Sequence, residues 1–291
     1  MRVRSGRMRR PRVHRLSDLS INRMVPNVLT LLALCAGMTA IRFAMNGNFV
    51  GAVFAIIVAG IFDGLDGRIA RLLKSTSSFG AELDSLSDFV SFGVAPASVL
   101  YLWTMSELRG FGWAIVLFYA VCCALRLARF NIEAGNDRPA YAALFFTGVP
   151  APAGAGLVMV PMFLSFEWGD WLFRSPYLNA LTVTGVALLM VSKVPTVSLK
   201  RIRIPHRLVV PTLLGVGVSA AFVTTAPWPT LTAIGVVYIG SIPLTIRAYR
   251  RLRRVAEARR GETAEAAALV PPPAAGYPLG EEDAPASQWR H

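Results

Sequence analysis

The stretch FDGLDGRIARLLKSTSSFGAELDSLSDFVSFG, from Phe62 to Gly93, decides the interpretation of this chain. It contains five acidic residues beside long apolar runs, and four of them are aspartates: Asp63, Asp66, Asp84 and Asp88. A carboxylate close to lipid loses its hydration at a large cost in free energy, so few such residues occur without a partner and a function. The stretch therefore predicts a functional site at the edge of a membrane.

The composition of the whole chain is that of an integral membrane protein. Hydrophobic residues make up 54% of the 291 residues and charged residues only 16%, with a mean hydropathy of +0.49. A soluble domain carries roughly a quarter charged residues. Several apolar runs approach the about 20 residues that a membrane-spanning helix needs. Eight spans are predicted, at roughly 26–44, 50–71, 84–103, 112–130, 146–166, 177–194, 208–225 and 231–248.

This pattern predicts an all-α, polytopic bundle of about eight transmembrane helices, because short connections favour antiparallel neighbours. A basic tail (residues 1–23) precedes a single transmembrane domain (residues 24–250). The remaining residues (251–291) are first basic and then rich in Pro and Ala, a composition typical of disorder.

The net charge of +13 is distributed unevenly along the chain. Basic residues cluster in 1–23, 193–207 and 247–260, whereas the loops at 45–49 and 226–230 carry no charge and that at 167–176 is net acidic. This positive-inside pattern predicts that both termini and the site face the cytoplasm from a cell (inner or plasma) membrane. The basic tails are expected to lie against anionic lipid headgroups. No aromatic platform accompanies them, so a nucleic-acid partner is not expected.

The four aspartates fall on two helical stripes. Residues three or four positions apart share one helix face. Asp63, Asp66, Gly67, Ala70 and Arg71 follow this spacing in the second span, and Gly80, Asp84, Ser87, Asp88 and Ser91 follow it in the third. The short turn between the spans predicts that they pack side by side. Gly67, Ala70 and Gly80 are small enough for a close approach of the backbones.

Converging carboxylates need compensating cations. Oxygen ligands without His or Cys select Mg²⁺ or Mn²⁺. Two such cations beside a phosphate-bearing substrate form the arrangement that supports in-line phosphoryl displacement. The alternative is that the aspartates cap helix ends or pair with Arg68, Arg71 and Lys74, which is a common explanation for any single one of them.

The spacing Asp63-x-x-Asp66-Gly67-x-x-Ala70-Arg71, followed after eight residues by Gly80-x-x-x-Asp84-x-x-x-Asp88, resembles the signature of the CDP-alcohol phosphotransferases at every fixed position. These integral membrane enzymes displace CMP from a CDP-linked lipid or alcohol. The resemblance implies that all four aspartates ligate two divalent cations and that Asp88 also acts as the general base. It also suggests a homodimer.

The same resemblance implies contacts to the CDP moiety, which are assigned to Pro26, Asn27, Val28, Leu29, Gly67, Arg71 and Ser77. For the segment Pro26–Leu29, a plain helix start with Pro26 near the first turn is an equal alternative.

Further stretches are similar to the bacterial phosphatidylserine synthase branch of this family: PNVLTLLALCAG, LDSLSDFVSFGVAPA, ALRLARFN and FTGVPAPAGAG. This branch implies transfer of the phosphatidyl group of CDP-diacylglycerol to L-serine, with CMP as the second product. The carboxylate of serine needs a cation or amide donors. Arg126, Arg129 and Asn131 are candidates, although arginines at a cytoplasmic helix end often only mark topology or meet lipid phosphate.

Three other functions remain open at this point. Glycerol 3-phosphate or inositol phosphate as the acceptor would need further cations, for which Arg126, Arg129, Arg138, Lys193 and Arg207 are available. An ion-coupled transporter would place its carboxylates near the bilayer midplane in broken helices. A scaffold that only binds headgroups or cations would show no turnover.

Overall fold

A computed structural model of the chain describes residues 21–73, 75, 77–134, 145–197 and 209–268. The first two helices are α1 (Ile21–Met45) and α2 (Phe49–Leu72). A third span combines α3 (Ser78–Asp88), a π-helical turn (Phe89–Val94) and α4 (Ala95–Trp103). After a 3₁₀ turn (Met105–Leu108) follow α5 (Arg109–Ala134), β1 (Phe145–Thr147), α6 (Ala151–Val158), α7 (Val160–Trp168), α8 (Asp170–Phe173), α9 (Pro176–Val191), β2 (Pro195–Val197), α10 (Val209–Thr225) and α11 (Pro227–Ala268).

Six helical segments in the described part of the chain are long and apolar enough to cross a membrane. They are Met24–Met45, Phe49–Leu72, Ser78–Trp103, Met105–Glu133, Ala151–Trp168 and Pro227–Ala256. The other two predicted spans, 177–194 and 208–225, correspond to α9 with 16 residues and α10 with 17. Both are shorter than the about 20 residues that a perpendicular span needs. The prediction of an all-α polytopic membrane protein is confirmed at this level, whereas the number eight stays a prediction.

A two-stranded antiparallel sheet was not predicted. Phe145 pairs with Val197 and Thr147 with Pro195, so the predicted start of the fifth span at residue 146 is wrong. The helix begins only at Ala151, because Gly148 adopts a φ of +77° and the chain turns there. The turn is held by hydrogen bonds that Gly148 N donates to the Val194 carbonyl (2.8 Å) and that the Thr196 hydroxyl donates to the Gly148 carbonyl (2.8 Å).

Helix α1 packs against both α2 and the third span, which differs from the predicted direct pairing of the second and third spans. Hydroxyl groups of the third span fix this packing. Ser87 donates to the Thr30 carbonyl at 3.0 Å, and Ser91 donates to the Ala33 carbonyl at 3.1 Å. Gly37 permits the approach, since a Cβ at this position would lie 2.9 Å from Ser91 Cα. The first helix therefore forms one wall of any pocket between the two aspartate stripes.

The π-helical turn starts directly after Asp88 and is packed against α5. A π-turn widens the helix locally and leaves carbonyls in need of other donors. The buried Tyr119 hydroxyl donates to the Phe92 carbonyl at 2.9 Å, and a Cβ on Gly93 would lie 3.1 Å from Cys123 Sγ. This tight contact with α5 fixes the position of the end of α3, on which Asp84 and Asp88 lie.

Polar side chains also connect the helices at the opposite end of the bundle. The Thr104 hydroxyl donates to the Arg174 carbonyl at 2.6 Å, and Arg174 forms an ion pair with Asp170 at 3.1 Å. The pKa of the Asp170 carboxyl lies below its usual range, chiefly because Ser165 donates a hydrogen bond to it and also because Arg174 is close. These contacts hold the short helix α8 across the ends of the third span and α7.

Candidate active site

The two aspartate pairs converge, as the sequence predicted. Asp63 and Asp66 lie one turn apart near the end of α2, and Asp84 and Asp88 lie one turn apart at the end of α3. Carboxylate oxygens of Asp63, Asp66 and Asp84 lie within 4.8 Å of one another. Asp88 is close enough to Asp63 and to Asp84 for an electrostatic interaction with both.

The carboxylates of Asp63, Asp66 and Asp84 fit a divalent cation. Their oxygens are close enough to share one ion, and the group contains carboxylates only, which suit Mg²⁺ or Mn²⁺ better than Zn²⁺. Without cations, four converging carboxylates would repel one another or bind protons. The concentration of negative charge and the all-carboxylate ligand set therefore both favour a divalent cation.

Asp66 is the most buried of the four, with only 4% of its surface exposed, and Thr30 fixes it. The Thr30 hydroxyl donates its one proton to Asp66 Oδ2 at 2.6 Å and lies 3.1 Å from the Pro26 carbonyl. The Thr30 carbonyl accepts from Ser87. Thr30 therefore links α1 to both aspartate-bearing helices. The sequence analysis missed this residue, and the available signal was a hydroxyl directly after the segment Pro26–Leu29.

A cavity of about 190 Å³ opens beside Asp66 and Asp84. Four of the predicted CDP contacts line it: Pro26, Asn27, Gly67 and Ser77. Thr30, Ala70, Ser75, Gly80 and Ala81 complete its lining. The cavity is therefore formed by α1, α2, α3 and the turn before α3.

Gly67 and Gly80 act differently from each other. A Cβ on Gly80 would lie 3.0 Å from Asn27 Oδ1, so the close approach predicted there exists, although it is to α1. A Cβ on Gly67 would meet no described atom within 4 Å. The predicted packing role of Gly67 is therefore wrong, and the missing side chain instead leaves space open at the cavity.

The other three predicted CDP contacts do not line the cavity. Val28 points away and is 49% exposed, and Leu29 is half-buried. Arg71 is exposed, and its Nε donates to the Gly67 carbonyl at 2.9 Å. Ser77 does line the cavity, and its hydroxyl also accepts from Gly80 N at 3.0 Å as the N-cap of α3.

Only one of the three predicted serine contacts lies beside the carboxylates. Arg126, on α5, interacts electrostatically with Asp88 and Asp63. Arg129 instead pairs with Glu133 at 2.8 Å and reaches the Val191 carbonyl at 3.4 Å. The Asn131 amide donates to Ser85 Oγ at 2.9 Å and is exposed. Arg129 and Asn131 are thus engaged in contacts between helix surfaces, and Arg126 supplies positive charge to the site.

Arg138 and Arg207 lie outside the described residues, as do residues 1–20, 198–208 and 269–291.

Comparison with known proteins finds the family whose signature the aspartate spacing resembles. The family model described as CDP-alcohol phosphatidyltransferase matches residues 23–191, and one described as CDP-alcohol phosphatidyltransferase 2 matches residues 207–243. The chain is 40% identical over 244 residues to the CDP-diacylglycerol–serine O-phosphatidyltransferase of Mycobacterium tuberculosis (strain H37Rv), with 84% of each chain covered.

Two further relatives bear the same name. The Mycobacterium leprae protein is 40% identical over 250 residues, which cover 86% of this chain and 82% of the relative. The Helicobacter pylori (strain 26695) protein is 35% identical over 182 residues, which cover 62% and 74%. The matched family model includes all four aspartates of the site, and together with these identities it shows that the chain belongs to the CDP-alcohol phosphatidyltransferase family.

Proposed function

We propose that this chain is a CDP-diacylglycerol–serine O-phosphatidyltransferase, which makes phosphatidylserine and CMP. The observation that carries the proposal is the 40% identity over most of the chain to relatives of that name. The convergence of four carboxylates beside a cavity supports it, because displacement at a diphosphate needs compensation of negative charge.

Members of this family use divalent metals, and Asp63, Asp66, Asp84 and Asp88 are the residues that would hold them here. Two bound Mg²⁺ or Mn²⁺ ions would neutralise the diphosphate and the charge that develops on it. Thr30 keeps the Asp66 carboxylate in one orientation. Gly67 leaves room beside the carboxylates, and Asn27 and Ser77 offer polar atoms to the nucleotide.

Asp88 is the proposed general base. It accepts the proton of the seryl hydroxyl as the oxygen attacks the phosphorus that carries diacylglycerol. The bond between this phosphorus and the CMP oxygen breaks, so CMP leaves and the phosphatidyl group stays on serine. An alcohol is a far weaker acid than a carboxylic acid, so the proton moves only as the new bond forms. The direct displacement needs no covalent intermediate on the protein.

The proposed topology has eight spans with both termini in the cytoplasm and the site open to that side. The distribution of basic residues supports it. Single cysteines replacing Lys193 and Trp171, both exposed, test it in a variant without the three native cysteines. In spheroplasts an impermeant maleimide should label the Trp171→Cys protein and should reach Lys193→Cys only after lysis. The reverse pattern would contradict the orientation.

We propose that the protein is a homodimer, as the family resemblance suggests. Light scattering of the purified protein in detergent decides this, since a mass of one chain would exclude the dimer.

We predict that serine is the preferred acceptor. The purified protein, given CDP-diacylglycerol, Mg²⁺ and equal amounts of serine, glycerol 3-phosphate and inositol phosphate, should release CMP and form a lipid with the mass of phosphatidylserine. A reaction without any added acceptor serves as the control for hydrolysis. Formation of phosphatidylglycerophosphate or an inositol lipid in place of phosphatidylserine would refute the assignment of serine.

We also predict different effects for two aspartates. Asp88→Asn should lower kcat by on the order of 10²–10⁴-fold, because the amide cannot take the proton, and binding of CDP-diacylglycerol should survive better than turnover. Asp66→Asn should weaken the binding of metal and of nucleotide together. The measurements are initial rates and metal-dependent binding of CDP-diacylglycerol in detergent.

Glu82→Gln is the matched control for both variants, since it makes the same chemical change on an exposed position of α3 away from the cavity. Its kcat should equal that of the wild type. A near-normal kcat of Asp88→Asn would exclude this residue as the base, even if its role as a metal ligand held.

A further inference from the structure

A half-buried polar cluster extends from the carboxylates proposed to bind metal to the last helix. Arg126 on α5 interacts electrostatically with Asp63 on α2, with Asp88 at the end of α3 and with Tyr238 on α11. The cluster thus brings together side chains from four helices that are far apart in sequence. Neither the signature nor the sequence analysis assigns a role to Tyr238.

The Tyr238 hydroxyl is buried and makes no hydrogen bond to any described residue that satisfies normal geometry. Thr196 on β2 lies close to it, but no hydrogen bond of normal geometry joins the two hydroxyls, and the Thr196 hydroxyl donates to the Gly148 carbonyl. A buried hydroxyl without a hydrogen-bond partner destabilises the folded protein, because it has lost its hydration without compensation. The loss is recovered if a ligand supplies the missing partner.

Tyr238 also borders a cavity. Tyr238 lines an apolar cavity of about 240 Å³ between α2, the π-helical turn, the fifth span and α11, and among the described lining residues it alone has a polar side chain. Gly60 and Phe92 border the same cavity, one helical turn away from Asp63 and Asp88. Tyr238 therefore stands at the boundary between an apolar region and the charged cluster.

Serine, the proposed acceptor, needs the kinds of polar group that lie near Tyr238. Serine must place its hydroxyl at Asp88 and at the same time bring its carboxylate to a cation and a hydrogen-bond donor. Arg126 is the described cation beside Asp88, and the two other predicted contacts, Arg129 and Asn131, are engaged elsewhere. A phenol hydroxyl beside a guanidinium group offers a second donor to a carboxylate.

We propose that Arg126 and Tyr238 form the subsite for the acceptor's carboxylate, with the Tyr238 hydroxyl as a specificity-determining donor. This proposal rests on the proposed function, since it needs an amino-acid acceptor. It also predicts that discrimination between serine and ethanolamine, which lacks the carboxylate, depends on Tyr238.

Tyr238→Phe tests the proposal, because it removes only the oxygen and keeps the ring that packs against the cavity. The KM for serine should rise roughly ten- to a hundredfold, as expected for a lost hydrogen bond to a charged group of about 1.5–3 kcal/mol. The kcat, the KM for CDP-diacylglycerol and the inhibition constant of ethanolamine as a competitor should stay near the wild-type values. The thermal stability without serine should not fall, since no described group is hydrogen-bonded to the removed hydroxyl.

Tyr249→Phe is the matched control, because it makes the same change three turns further along α11. Its serine KM should equal that of the wild type. An unchanged serine KM in Tyr238→Phe would overturn the subsite, and so would an equal weakening of serine and ethanolamine, which indicates a structural role. If the wild-type protein makes no phosphatidylserine at all, the proposed function fails and the subsite with it. If it does and Tyr238→Phe behaves like the wild type, only the subsite fails.

Discussion

The hydrogen bond from Thr30 to the buried Asp66 carboxylate is the contact on which the site depends. Asp66 lies within a few ångströms of two other carboxylates, in a part of the chain that also has to pack into a membrane protein. A buried carboxylate is tolerated only if donors or cations compensate its charge. Thr30 supplies one donor and at the same time, through its carbonyl, accepts from Ser87 on α3. One residue therefore couples the orientation of a ligand to the spacing of the two aspartate-bearing helices.

The rest of the bundle keeps the second aspartate pair in register with the first. Ser91 and Gly37 bring α1 close to the third span, and the π-helical turn is held by the Tyr119 hydroxyl. Because each of these contacts joins rigid helices, the carboxylates need little rearrangement on binding a cation. Preorganisation of this kind lowers the cost of assembling a charged site. It also explains why the site lies on helix ends and not on the connecting loops.

Local spacing made part of this site predictable. Asp63 with Asp66, and Asp84 with Asp88, follow the helical repeat within one element, so the sequence alone placed each pair on one face. Contacts between distant residues could not be predicted in this way. Thr30 and Asp66 are 36 positions apart, and Thr196 and Gly148 are 48 apart, so no periodic pattern connects them. The packing of α1 against both aspartate-bearing helices and the strand pairing at residues 145–147 belong to this second group.

Because contacts between distant residues could not be predicted from local spacing, only some of the predicted site residues lie at the site. Asn27 and Ser77 line the cavity as expected, whereas Arg71 lies on the exposed surface of α2, because the rotamer of a long side chain is decided by neighbours that a motif does not specify. Arg126 was chosen with Arg129 and Asn131 for its position at a helix end. Only its approach to Asp88 separates it from them. Tyr238 carried no sequence signal, since its relevance depends on the electrostatic interaction of its side chain with Arg126, 112 positions earlier in the chain.

The most direct test of the account is the number of Mn²⁺ ions that the purified protein binds, measured by electron paramagnetic resonance in lipid nanodiscs with CDP-diacylglycerol present. The account predicts two ions per chain, displaced by Mg²⁺, with binding lost in Asp66→Asn and weakened in Thr30→Val, which keeps the shape of the side chain but removes the donor. Absence of bound Mn²⁺ at millimolar concentration, or binding that is the same in Asp66→Asn, would contradict the assignment of the carboxylates as a divalent-cation site.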